Sequence, residues 1–546
     1  LPRLEVDRIE VLRGGAADLY GSAALGGAVQ LVSFGPRAGK AFEAELAAGE
    51  AATFDGALTA RASAGEWAGR LSAEAYRTDG YVPVEEASRG SVDTEAASRH
   101  LALDVAVDRR AWNDGRVFLR LQGYGEDREN GTPLQVNDTR IGLAALGLDW
   151  GTERARTSLR AWAQTQSYDQ TFSAVAEGRT REDLTREQHV PADALGLSAQ
   201  WSRALGGRQR LLLGLEARHV SGRTEERAWA RGAPTVAVSA GGDETGAALF
   251  VQDLIELHPR LVATASLRLD AWALHGRTAT TPLATGTTST TAHPDRDEAV
   301  PSPRLGLLFR AHPGVSLTAA GYGAFRAPTL NELYRSFRIG DTVTLANAEL
   351  EPERLWGGEL GALFTHGRHT LRLVAFSAEV SDAVANVTIS STPALVTRER
   401  RNVGRTRSRG VEAEADLRLG ARAVVSAGYA FTDATVASFP ADPALEGRRL
   451  PQVPRHQATL QARYEGRLRL GLQLRATGEA WEDDRNELSL AGAAQLDLFA
   501  GLAVRPGLLL FAAAENVTDA EIVAGRTPVA TLAPPRRLRA GLRLSR

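Results

Sequence analysis

From Ala41 to the end of the chain, apolar and polar residues alternate with a period of two. Leu468, Leu470, Leu472 and Leu474 alternate with Arg467, Arg469, Gly471 and Gln473. Val117, Leu119 and Leu121 alternate with Phe118, Arg120 and Gln122, and Val411, Ala413 and Ala415 with Glu412, Glu414 and Asp416. Successive side chains of a strand point to opposite faces, so this pattern predicts strands with one apolar and one polar face. A helix needs its apolar positions at a period of 3.6, and these stretches do not have them.

The connections alternate as well. Short turns fall at Gly65-Glu66, Gly151-Thr152-Glu153, Gly206-Gly207, His312-Pro313-Gly314, Gly420-Ala421 and Pro506-Gly507. Between them lie longer polar stretches, among them 127–138, 169–190, 223–242, 276–296, 326–351 and 382–401, read as loops. Short turns on one side and long loops on the other are the layout of a membrane β-barrel. In lipid every backbone polar group must be paired internally, so only helices and closed barrels span it. No run approaches the ~20 apolar residues of a spanning helix. The predicted fold is therefore all-β: an antiparallel transmembrane barrel over residues 41–546 with about 22 strands, a size associated with plugged lumens. A soluble propeller also repeats short strands, but its blades recur every ~40 to 50 residues with shared motifs, and no such self-similarity is present.

Residues 1–36 are different. Arg8-Ile9-Glu10-Val11-Leu12-Arg13 is a short strand broken by Gly14-Gly15, Tyr20-Gly21-Ser22 is a second turn, and Gly26-Gly27 releases a second apolar strand. Taken alone, this is any strand–turn–strand. Its motifs and their order, however, resemble the end of the plug domain of TonB-dependent outer-membrane receptors, with "R-I-E-V-L-R-G", "L-Y-G-S" and "G-G" at Arg8–Gly14, Leu19–Ser22 and Gly26–Gly27. Gly15 stands where that family usually has Pro. The likeness continues through the barrel: Gly321–Tyr334 is similar to the family's "G-x-F-R-A-P-x-x-x-E-L-Y", Asn347–Glu353 to "N-P-x-L-x-P-E", Asn402–Gly404 with Gly410–Glu412 to "N-x-G … G-V-E", and Glu515–Asp519 to "E-N-L-F-D".

The resemblance implies that residues 1–36 are the C-terminal part of a plug held inside the barrel. A signal peptide, the TonB-contacting segment and the rest of the plug would then precede Leu1. It implies a Gram-negative outer-membrane receptor that imports a scarce metal chelate, a ferric siderophore before cobalamin or haem. Its partners would be TonB, the lipid bilayer and lipopolysaccharide, and it would act as a monomer. Readings from other classes are an adhesin on the same barrel, or a barrel hydrolase of about 12 strands with a Ser–His pair on its lipid face.

Composition narrows the chemistry. The net charge of −2 argues against a general nucleic-acid binder. There is no Cys, so a thiolate metal site and a disulfide framework are both excluded. His366 and His369 flank one short turn, and two histidines without a third ligand are read as a solvated turn. No catalytic motif or cofactor motif is found, and the expected role is not enzymatic.

The charged alternation gives sharper candidates. Glu412 and Glu414 are two apart on one strand and share a face, and Glu359 is placed similarly. Charge facing lipid at mid-depth costs several kcal/mol, so these glutamates should face the lumen. There they are expected to pair with Arg8 and Arg13. Under the resemblance, ligand contacts come from the outer loops, where Tyr81, Tyr168, Trp229, Tyr334, Arg335, Phe337 and Arg338 are candidates because arginine and aromatic side chains suit anionic, aromatic ligands.

Overall fold

The computed structural model describes residues 1–112, 115–339, 342–392 and 395–546. Twenty-two antiparallel strands close into one barrel. The first, Phe42–Gly49, pairs with the last, Arg537–Ser545, through Leu46↔Leu542. Closure leaves no unpaired edge, the condition for a sheet to sit in hydrocarbon. Among the described residues no helix is long and apolar enough to cross a membrane. A hydrolase barrel of about 12 strands is not compatible with this closure.

The alternation read from the sequence maps onto the two faces of the wall. On the strand Ser98–Ala111, Ala102, Asp104, Ala106 and Asp108 are buried toward the lumen, while Leu101, Leu103, Val105 and Val107 are on the outer face. Above this apolar band the outer face turns polar: Arg99 pairs with Asp127 at 2.8 Å and His189 with Asp169 at 2.8 Å.

The strands differ in length. Phe42–Gly49 has 8 residues and Ala233–His258 has 26. At about 3.3 Å per residue the longer one runs roughly 85 Å, well beyond the ~25 Å apolar band of such barrels. Much of what the sequence marks as loop is therefore strand. Residues 169–190 are divided between Ala155–Val175 and Glu182–Leu205, with 223–230, 233–242, 382–392 and 395–401 likewise taken up by paired strands. Above the membrane both faces of a strand meet water. Backbone pairing continues there while the apolar alternation that reveals it does not.

Inside the barrel lies an N-terminal hairpin, β1 (Val6–Arg13) and β2 (Gly27–Ser33), with Ile9 opposite Leu31 and Val11 opposite Val29. Between them is a helical turn, α1 (Ala17–Tyr20). Residues 1–22 touch inner-face side chains at Glu45, Arg120, Ser266, Arg304 and Glu412. These positions are distributed around the whole barrel, so the segment can reach them only from within.

Candidate functional site

The wall grips the N-terminal segment at four places. The first is ionic. Arg3 lies 2.7 Å from Asp55, 3.3 Å from Glu45 and 3.4 Å from Glu74. Glu5 accepts from Arg120 at 2.6 Å and faces Arg70 at 3.3 Å, and the same two arginines hold Asp104 at 2.6 and 2.5 Å. Glu5 and Asp104 are fully buried. Burial, reinforced by Asp104, pushes the Glu5 carboxyl up to about 7 against the pull of Arg70 and Arg120.

The second is a close backbone approach. Gly14 has φ +73°, and a Cβ there would collide with Glu359 Oε1 and Tyr322 Oη. Only glycine meets both demands. Tyr322 donates to Glu359 at 2.9 Å, and Arg304 lies over the Tyr322 ring while donating to the Gly15 carbonyl at 2.6 Å.

The third is the turn α1. Ser266 donates to Asp18, and the Ser22 hydroxyl accepts the Ala327 N–H at 3.0 Å. Ala17 joins an apolar core that includes Trp272, Phe325, Leu333 and Leu350, in which Trp272 and Phe325 stack at 5.1 Å.

The fourth is Arg13, at the end of β1. Its guanidinium reaches Glu412 Oε2 at 2.5 Å and also contacts Glu414 Oε1. The strand Leu395–Leu419 presents both carboxylates on one face, as its period of two requires. Arg8 does something else. It pairs with Glu10 at 2.7 Å and Asp7 at 3.0 Å on its own hairpin. Strand alternation puts Arg8 and Glu10 on the opposite face from Arg13, away from those glutamates, which corrects the expectation that both arginines dock there. Of the other motif residues, Tyr20 Oη donates to Gln30 at 3.3 Å, Gly21 sits against Arg268 and Asp270, Gly26 is in open space, and Gly27 has φ +147° close to the Leu12 carbonyl.

The sequence reading found Glu412 and Glu414. Glu359 also faces the N-terminal segment, but it accepts from Tyr322 beside Gly14 and is not bridged to Arg8 or Arg13, which corrects its expected pairing. Arg3, Glu5 and their wall partners were missed. Their signal was charge recurring on one face of a strand, as in Asp104 and Asp108, four positions apart. That pattern gives the face and not the partner.

The outer-loop candidates separate into two groups. Tyr334, Arg335 and Phe337 come together around α2 (Leu330–Tyr334), a short helix folded into the barrel mouth. Thr329 and Glu332 form its capping box, and Arg400 donates to the carbonyls of Asn331 and Arg335 at 3.0 and 2.7 Å, satisfying its C-terminal end. Arg335 pairs with Glu226 at 2.8 Å, Phe337 lies beneath Arg335 and Arg400, and Tyr334 is buried against His293. The others are apart. Tyr81 donates to the Leu532 carbonyl at 2.9 Å, and Tyr168 and Trp229 belong to strands instead of loops. The Arg338 side chain lies outside the described residues. His366 and His369 face each other across a tight turn, and no described group of three His, Asp or Glu could hold a metal ion.

Residues 74–517 match the family model described as "TonB dependent receptor-like, beta-barrel". The chain belongs to this TonB-dependent receptor family. That assignment places it in the Gram-negative outer membrane among transport receptors. Solved structures with the same fold include the ferric yersiniabactin uptake receptor FyuA of Yersinia pestis, at 15% identity and a TM-score of 0.82, covering 99% of this chain and 85% of that one. The copper transporter OprC has 17% identity and a TM-score of 0.84, covering 99% and 87%. The ferripyoverdine receptor of Pseudomonas aeruginosa has 15% identity and a TM-score of 0.77, covering 99% and 76%. At these identities the likeness to solved structures is one of fold. No curated protein sequence matches this TonB-dependent receptor chain.

Proposed function

We propose that the chain is the barrel and the last part of the plug of an active transporter, with residues 1–36 as plug and 41–546 as barrel. It binds a metal chelate, a ferric siderophore in the first instance, and passes it to the periplasm when TonB displaces the plug. The observation that carries this reading is the contact of Arg13 with the wall. Arg13, Glu412 and Glu414 are partly open to water, and ion pairs of that kind break and re-form more readily than a dry apolar seam. A plug that must move to admit cargo needs such contacts. Siderophore receptors among the structures of this fold support the choice of cargo, while the copper transporter of equal likeness shows that the fold does not dictate it. The reading also includes a monomer whose outer face meets lipopolysaccharide.

The test is uptake of radiolabelled ferric siderophores by cells expressing the full-length gene product, with and without an energised TonB complex. Accumulation that requires TonB is the expected result. Accumulation at equal rate without TonB rejects the proposal, as does surface binding with no entry.

A further inference from the structure

The lipid-facing side of the wall carries a feature that docking of the N-terminal segment does not use. Leu119 is on the opposite face from Arg120, which reaches Glu5 inside the barrel. The register carries that outer face from Leu119 through Leu146 and Ala161 to Leu197, on the next three strands, Val136–Gly151, Ala155–Val175 and Glu182–Leu205. On the middle strand the outward residues Ala161 and Ala163 are small, and Leu146 and Leu197 stand on either side of Ala161. The difference in size leaves a trough. It consists of two depressions of about 590 and 510 Å³ that share Leu146, Ala161, Leu197 and Ala217.

At the periplasmic end, the side of the short turns, the apolar lining stops. Trp150 and Trp201 flank Thr157 across the register, and one step further along is Arg203, opposite Ala155. Arg154 and Arg208 are in the two adjoining turns. All three arginines are exposed, and none makes an ion pair or a side-chain hydrogen bond with a described residue. Glu153 is the only acidic residue in those two turns. On the lumenal side of the same strands the arginines are neutralised, Arg156 and Arg160 lying 3.8 and 2.6 Å from Asp149.

This arrangement has the polarity of a phospholipid. From Thr157 to Ala163 the strand runs about 20 Å, and at the ~40° tilt of such strands it climbs about 15 Å. That is one leaflet of a ~30 Å hydrocarbon core, so an acyl chain lying in the trough puts its headgroup at the arginines. The indoles at the boundary offer an apolar face to the chain and an N–H, unpartnered among the described residues, to the ester carbonyls. Guanidinium groups take phosphate oxygens in pairs. Three free guanidiniums against one carboxylate select a headgroup whose phosphate is not offset by a cation of its own. A zwitterionic lipid would bring an ammonium group into the same positive field.

We propose that the trough and the arginines at its foot form a binding site for one anionic phospholipid of the periplasmic leaflet. The site is on the outside of the barrel, so it is independent of the cargo and of the plug.

Native mass spectrometry of the full chain, released from micelles containing equimolar phosphatidylglycerol and phosphatidylcholine, tests it. One phosphatidylglycerol is expected to stay bound in preference to phosphatidylcholine. Each arginine beside an anionic surface is worth about a fivefold change in affinity, so Arg203→Gln combined with Arg208→Gln should cut the preference by about 25-fold. Neither side chain holds another part of the protein, so the barrel should keep its compact form on gels. Ala161→Trp, which fills the trough and leaves the arginines in place, should displace the lipid as well, while added inorganic phosphate should not. Equal retention of the two lipids, or a preference that survives the double substitution, overturns the site. A preference that survives Ala161→Trp also overturns it, and competition by inorganic phosphate would then identify a bare phosphate site.

Discussion

Replacing Arg13 by alanine should loosen the N-terminal hairpin without unfolding the barrel. The side chain makes two contacts, with Glu412 and with Glu414, and it is 46% exposed while the glutamates are 22% and 37% exposed. Fully exposed pairs contribute about 0.2–1 kcal/mol, and breaking a buried pair costs about 3–5 kcal/mol because a charge is left stranded. Two half-screened contacts fall between these limits, at about 2 kcal/mol, or roughly a thirtyfold shift in the docked-to-undocked ratio. Hydrogen exchange should show it directly, with the amides of β1 exchanging faster in Arg13→Ala while those of the barrel strands remain protected. Small antibiotics should leak more readily into cells carrying the variant, and Glu412→Ala should act in the same direction. A double-mutant cycle isolates the interaction. In a background already lacking both glutamates, Arg13→Ala should have little further effect. Unchanged exchange in β1, or an equal effect of Arg13→Ala with and without the glutamates, would refute the ionic latch.

Three further outcomes follow from the same geometry. Gly14→Ala should undock the turn, because a left-handed residue with a Cβ costs about 1–2 kcal/mol and overpacking against Tyr322 and Glu359 adds about 1–3 kcal/mol; limited proteolysis around residues 14–16 reads it, and wild-type resistance would contradict it. Glu5 has its carboxyl raised from 4.5 to about 7 in the folded protein, so the stability it contributes is complete below about 4.5 and lost as pH rises through about 7. Exchange at residues 3–6, corrected for intrinsic rates, should therefore be faster at pH 8 than at pH 5, and the reverse order would show that Glu5 stays ionised. Gly196 lies beneath the ring of its cross-strand partner Trp162, as Gly147 lies beneath Phe118 and Gly214 beneath Phe250. Gly196→Val should displace that ring and destabilise the barrel by about 1–3 kcal/mol, seen as a lower temperature for loss of the compact form on gels, whereas an unchanged transition would mean the wall can absorb the extra volume.

The sequence by itself determined the barrel, because lipid and lumen impose a period of two on each spanning strand and the apolar half of that period is visible in residues such as Leu468, Leu470, Leu472 and Leu474. It also determined which side Glu412 and Glu414 face, since charge is costly in hydrocarbon. It did not determine how far the strands extend. Above the membrane water covers both faces, so Tyr168 and Trp229 stand on paired strands that have no alternation to announce them. Nor did it decide the partners. Arg8 and Arg13 carry the same charge five residues apart, yet the parity of β1 turns one toward Glu412 and Glu414 and the other toward Glu10. Arg3 and Glu5 meet wall residues from about 40 to more than 100 positions away. Such contacts depend on which strands closure brings around a given height of the lumen, and only the tertiary structure sets that.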